Sequence, residues 1–173
     1  MSSDVVEFRR GEFVISTDPA RLDLNLIHGF LTNCYWAKGI PREIVARSIE
    51  RSLCFGIYDV AGGSSPRLAK GARRVALQVG FARVVSDCAT VAYLGDVFVL
   101  ESHRGQGLSK WLMECIMHHP ALQSLRRWIL LTHDARGLYS QFGFTPLKAP
   151  ERYMELHRPD VYDASGNEIR KTP

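Results

Sequence analysis

The sequence predicts a mixed α/β fold of a single domain. Three observations carry this. Some segments alternate apolar and polar residues, the period of a half-buried strand. Others repeat apolar residues every three or four positions, the period of a helix with one buried face. The two patterns interleave along 173 residues, the length of one ordinary domain.

The elements follow in order. Residues 12–17 form the first strand, with Phe13 and Ile15 alternating against their neighbours. Asp18 then caps a helix that opens at Pro19 and carries Leu22, Leu26, Ile27 and Phe30 on its apolar face. Pro41 starts a second helix, with Ile44, Val45, Ile49 and Leu53 facing the core. Residues 54–60 read as a strand, and the stretch from Ala61 to Arg67 as a Gly/Ser/Pro surface loop. Val75, Leu77, Val79 and Phe81 mark the next strand, and residues 91–100 its antiparallel partner across the turn Ser86-Asp87-Cys88-Ala89. Gly80 and Gly95 inside these strands predict a bulge or a close backbone approach. Leu108, Trp111, Leu112, Cys115 and Ile116 set a third helix, stopped by Pro120. Residues 128–132 form a short buried strand. Asp134 is expected to cap a fourth helix holding Leu138, Tyr139 and Phe142, which Gly143 ends. Residues 144–146 and 153–156 read as terminal strands.

Composition narrows the function. Hydrophobic residues are 46% and charged residues 23%, enough for a core without metal or disulfide staples. The formal net charge of +4 permits an anionic ligand. It does not predict nucleic-acid binding, because Arg73-Arg74 and Arg126-Arg127 are isolated pairs and no basic face is concentrated. No apolar run approaches the roughly 20 residues of a membrane span. The first residues lack a basic segment followed by an apolar one, so a cytoplasmic protein is expected. Cys34, Cys54, Cys88 and Cys115 are widely separated, which fits reduced thiols, and no Cys/His cluster has metal-ligand spacing.

The most informative stretch runs from Tyr93 to Leu112. A strand enters a glycine-punctuated loop that opens an amphipathic helix. The first amides of a helix lack intrahelical partners and carry partial positive charge, which suits a phosphate. Gly105 and Gly107 allow close backbone approach, and Arg104 and Lys110 add countercharge. A dinucleotide fingerprint would require a third glycine where Lys110 stands, and the Gly-Lys-Ser/Thr of a Walker loop is absent.

Arg104-Gly105-Gln106-Gly107-Leu108-Ser109 resembles the Arg/Gln-x-x-Gly-x-Gly/Ala motif of the GNAT superfamily of N-acetyltransferases. Asp96-Val97-Phe98-Val99 looks like the fourth strand of that fold, and Gln78 to Val84 like its third. Asp134 to Phe144 is similar to the later segment in which a helix carries Leu-Tyr and ends at Gly-Phe. Together these cover roughly residues 12–157. One departure is Ser109, where Gly or Ala is usual; serine is small enough to leave the approach open.

The resemblance implies a mostly antiparallel sheet of six to seven strands with about four helices, splayed between the fourth and fifth strands. It implies one acetyltransferase domain over residues 1–158 and a polar tail over 159–173. The cosubstrate is acetyl-coenzyme A, with Arg104, Gly105, Gln106, Gly107, Leu108, Ser109 and Lys110 around the pyrophosphate. Backbone N–H groups of Phe98, Val99 and Leu100 are expected beside the thioester. Tyr139 matches the tyrosine that protonates the leaving thiolate; packing against Leu138 and Phe142 is its other role. An amine is protonated at neutral pH and needs a base, for which Asp96 is the candidate; an ion pair with an arginine is the alternative. Glu101 and His103 are weaker candidates, nearer the phosphates.

The acceptor is expected to be a small-molecule primary amine, since no segment looks built to grip a polypeptide. Tyr35 and Trp36, beside a Gly/Pro turn, could wall an amine site or close the core edge. His133, after the fifth strand, could line the same site or serve as a structural hydrogen-bonder. Transfer to a protein amine and a non-catalytic acyl-coenzyme A sensor are the competing readings, and a homodimer is compatible with all of them.

Overall fold

The computed structural model describes residues 4–61 and 76–162. Most of the Gly/Ser loop and Val75 lie outside the described residues. Six strands form one sheet in sequential order: β1 (Glu7–Arg10), β2 (Phe13–Ser16), β3 (Leu53–Asp59), β4 (Leu77–Ser86), β5 (Val91–Val99) and β6 (Arg127–Leu130). All neighbours are antiparallel except β5 and β6, which are parallel. The helices are α1 (Leu24–Leu31), α2 (Arg42–Glu50), α3 (Leu108–Met117) and α4 (Arg136–Tyr139).

β1 is an addition to the predicted strands. It turns into β2 at Gly11, whose φ of +56° suits glycine. The first helix starts later than expected. Asp18 accepts from Ala20 N–H but caps only a single 3-10 turn, Pro19–Arg21. Asp23 is the true cap of α1, accepting from Asn25 and Leu26 N–H at 2.9 and 3.0 Å. The Asp23 N–H donates to the buried Gln78 side chain at 2.7 Å, which ties the start of α1 to β4.

Two cores lie on opposite faces of the sheet. One packs Ile15, Phe55, Val79, Val84 and Leu94 against Leu108, Leu112 and Ile116 of α3. The other packs Phe81 and Phe98 against Ile27 and Leu31 of α1 and Val45 of α2. Phe30 stacks on Phe98 with ring centroids 3.8 Å apart. Burying each such side chain stabilises the fold by about 1.5–3 kcal/mol.

Two further expectations are corrected. The fourth helix is short and continues as a 3-10 turn, Ser140–Phe142, ended by Gly143 at φ +83°. Its N-cap is Ala135, and the Ala135 N–H donates to Thr132 Oγ1, so Asp134 does not cap it. Neither 144–146 nor 153–156 is a strand. Pro146 and Pro150 interrupt that region and cannot donate to a ladder. Met154 and Leu156 stand exposed, and Tyr153 lies under the Arg127 guanidinium.

β6 pairs with only the first half of β5, Val91–Leu94 against Arg127–Leu130. Gly95 to Val99 continues past the end of β6, so the sheet opens there. These are the fourth and fifth strands of the sequence reading, with β1 shifting the count by one.

Candidate active site

The split is shaped by a bulge. β4 and β5 pair in regular register at Phe81↔Phe98 and at Arg83↔Gly95, which sets Asp96 and Val97 opposite Ala82 alone. Asp96 has φ +55°, a left-handed conformation that Asp tolerates better than most residues. Gly80 makes the predicted close approach: a Cβ there would lie 2.8 Å from the Phe98 carbonyl oxygen and from Ile57 Cδ1.

The register decides which amides face the opening. Leu100 N–H donates to the Val79 carbonyl at 2.8 Å, and Val99 sits opposite Gly80. Antiparallel ladders alternate, so Phe98 and Leu100 turn their amides to β4, and Val99 turns its N–H and C=O to the split. The Arg104 Nε–H donates to that Val99 carbonyl at 3.2 Å.

Beyond β5, a 3-10 turn (Glu101–His103) leads into the predicted phosphate loop. Gly105 and Gly107 adopt φ +77° and +71°. A Cβ at Gly105 would meet nothing within 4 Å, so the loop is open where a ligand would approach. Gly107 is the N-cap of α3 with no side chain over the helix end, which leaves the first-turn amides of Leu108, Ser109 and Lys110 available to an anion. Arg104 and Lys110 are exposed beside them. The cradle therefore fits the pyrophosphate of coenzyme A.

Asp96 is partnered. Its Oδ2 accepts from Arg83 Nε at 2.6 Å, and the Arg83 Nη1 donates to Ser52 Oγ at 3.3 Å. The pair is mostly sheltered, with side chains 19% and 12% exposed. Asp96 also raises the Tyr93 hydroxyl, after burial, and adds to the burial that pushes the Cys34 thiol up to about 11. Cys34, in the α1–α2 connection, lies within the electrostatic reach of both Asp96 and Arg104.

The acceptor-side residues come together across the chain. Tyr35 Oη accepts from the His133 N–H at 3.3 Å. The Tyr35 ring lies 4.9 Å from Trp36 and 6.0 Å from His133, in edge contacts. Tyr35 and Trp36 are 62% and 43% exposed, so they do not close a core edge. Tyr139 is 8% exposed and packs edge-on to Phe144. Burial pushes its hydroxyl up to about 12, with smaller contributions from Asp134 and Tyr35. The hydroxyl is therefore protonated throughout the physiological range.

Arg83, Ser52 and Cys34 are additions to the predicted site. Arg83 could have been found from strand alternation, which puts it on the same face as Phe81. His103 is engaged elsewhere: its Nε2 lies 3.4 Å from Asp59 Oδ2, against Phe13.

The comparisons with known proteins agree with this geometry. The family model for the acetyltransferase (GNAT) domain matches residues 71–146. A protein of Gibberella zeae that carries the name "Putative acetyltransferase" is 33% identical over 141 residues, covering 76% of this chain and 78% of that one. A GNAT-family crystal structure from Xanthomonas campestris pv. campestris is 49% identical, with a TM-score of 0.74 over 87% of this chain and 96% of that one. A Clostridium acetobutylicum protein crystallised with acetyl-coenzyme A shares the fold at 12% identity, with a TM-score of 0.55 over 84% of this chain and 94% of that one. The chain belongs to the GNAT family of acetyltransferases. It is an acyltransferase enzyme.

Proposed function

We propose that the enzyme moves an acetyl group from acetyl-coenzyme A to a primary amine of a small molecule, by direct attack within a ternary complex. The observation that supports this best is the alignment of two features. An uncapped, glycine-opened helix end follows the half of β5 that β6 leaves unpaired, and Tyr35 meets His133 just beyond β6, with Trp36 beside it.

In this reading Arg104 and Lys110, with the amides of Gly105 to Lys110, hold the pyrophosphate. The thioester then lies along β5. The Val99 N–H donates to its carbonyl oxygen and stabilises the negative charge that develops there. Asp96 takes a proton from the amine, through water, on the oxygen not engaged by Arg83. The amine nitrogen attacks the carbonyl carbon, the C–N bond forms and the C–S bond breaks. Tyr139 supplies a proton to the leaving thiolate. Of the two protons the ammonium group loses, the one shed by nitrogen as the amide forms reprotonates Tyr139 through solvent, and the one taken at Asp96 leaves as the net proton of the reaction. The aromatic wall favours a compact cationic amine, which Tyr35 and Trp36 can hold by their faces before it loses its proton.

The test is thiol release from acetyl-coenzyme A across a panel of small primary amines and lysine-containing or free-N-terminal peptides. Faster release with one or more small amines supports the reading. Release with peptides alone would move the acceptor to a protein. Stabilisation by acetyl-coenzyme A with no release across the panel would make the domain a sensor.

A further inference from the structure

Arg10, the last residue of β1, crosses 97 positions of sequence to reach the phosphate loop. Its Nη2 donates to the Gly107 carbonyl at 3.2 Å and, more weakly, to the Gln106 carbonyl at 3.5 Å. Its guanidinium lies 4.8 Å from the centroid of the Trp111 ring on α3, a buried side chain that holds the cation by its face.

Peptide geometry gives these contacts a consequence. In a trans peptide the C=O and the following N–H lie in one plane and point in opposite directions within it. The Gln106 carbonyl shares its plane with the Gly107 N–H, and the Gly107 carbonyl shares its plane with the Leu108 N–H. A guanidinium that draws both carbonyls to one side aims both N–H groups to the other. The Gly107 carbonyl also accepts from the Trp111 N–H at 3.1 Å, the first bond of α3, which Arg10 reinforces. The Gln106–Gly107 plane lies outside the helix between glycines at positive φ, where rotation is inexpensive until Arg10 anchors it. On the outer side the loop borders a cavity of about 500 Å³ lined by Arg10, Glu12, Asp59, His103 and Gln106. Arg10 lines that hollow on its way to the loop.

We infer that Arg10 is a positioning residue: it locks the peptide planes of Gln106–Gly107 and Gly107–Leu108 so that their amides face the pyrophosphate of the acyl donor. This rests on the proposal that the donor's phosphates lie in the loop. It adds a contact from the far edge of the sheet that the loop motif does not contain.

Calorimetric titration with coenzyme A and with 3′-dephospho-coenzyme A tests it without knowing the acceptor. Arg10→Ala is expected to weaken both ligands by about the same factor, roughly tenfold, the size expected for losing hydrogen bonds from a charged donor. Arg10→Lys restores little of this, because a single ammonium cannot span two carbonyls while lying flat on Trp111. Arg10→Met keeps an unbranched stem against Trp111 without a donor and carries the same test if the alanine variant is unstable. Unchanged affinity overturns the inference. So does a loss confined to coenzyme A, which would mean direct contact with the 3′-phosphate, or full rescue by lysine, which would mean bulk charge alone. Gly105→Glu, titrated in parallel, separates this from the underlying reading, because a side chain there enters the open face of the loop, whereas one at Gly107 would start 3.7 Å from Arg10 Nη2. If that variant binds normally, the phosphates lie elsewhere and the reading of the loop fails; if it loses binding while Arg10→Ala does not, only the positioning role fails.

Discussion

Gly80→Ala tests the packing that shapes the split. The added Cβ would lie 2.8 Å from the Phe98 carbonyl oxygen and 2.8 Å from Ile57 Cδ1. Ile57 can rotate away, but the carbonyl belongs to the backbone of β5. Relief therefore requires β4 and β5 to part by several tenths of an ångström at Phe98. Overpacking of this kind costs about 2 kcal/mol. For a chain of this length that lowers Tm by about 4–8 °C. The shift also moves Val99, the register partner of Gly80, whose amide faces the split. A displaced oxyanion donor is expected to reduce kcat by about tenfold. Thermal melting and steady-state thiol release read the two effects. A Tm within about 1 °C of wild type and an unchanged kcat would refute the reasoning, because the strands would then have absorbed the methyl without moving.

Tyr139→Phe should lower kcat by roughly 100-fold while leaving affinity for acetyl-coenzyme A nearly unchanged; an unaltered kcat at every pH would remove Tyr139 from the mechanism. Asp96→Asn should lower kcat at neutral pH and recover part of it as rising pH deprotonates the amine in solution; equal loss at all pH values would assign Asp96 a role in binding Arg83 only. Stability should be bounded by pH on both sides. Burial pushes the Cys54 and Cys115 thiols from 9.0 up to about 12, so their contribution is complete below 9.0 and is lost as pH rises from there toward 12. Burial lowers the His119 pKa from its ordinary 6.5, so its contribution is present above 6.5 and is lost as pH falls below it. A Tm that is flat from pH 9.0 to about 11 would contradict the alkaline limb.

The sequence made the donor half of the site legible because its residues are contiguous. Gly105, Gly107 and the apolar stripe from Leu108 to Ile116 lie in one stretch, and spacing alone sets a glycine turn at the mouth of a helix. The acceptor half depends on contacts between distant positions. Tyr35 and His133 meet across 98 residues, and no local pattern encodes that pairing. Alternation puts Arg83 on the face of Phe81, but that it meets Asp96 is hidden by the bulge, which breaks simple counting between β4 and β5. β1 was missed because Glu7-Phe8-Arg9-Arg10 carries one apolar residue, too few for alternation to register. Asp18 and Asp23 both look like helix caps. Only the structure shows that the chain after Asp18 makes a single turn, with Leu22 extended between the two. The predicted terminal strands fail for a related reason: three and four residues are too few to set a strand, and Pro146 and Pro150 interrupt the region.

The central claim is that the loop from Arg104 to Lys110 holds the phosphates of the acyl donor. Calorimetric titration of coenzyme A into wild type and into Arg104→Ala/Gly107→Glu tests it most directly. Gly107→Gln serves as a control, because it strains the same backbone at φ +71° without adding a negative charge. The account predicts saturable binding to wild type, weakened but measurable binding to the glutamine control, and none to the double variant. Undiminished affinity in the double variant would contradict it.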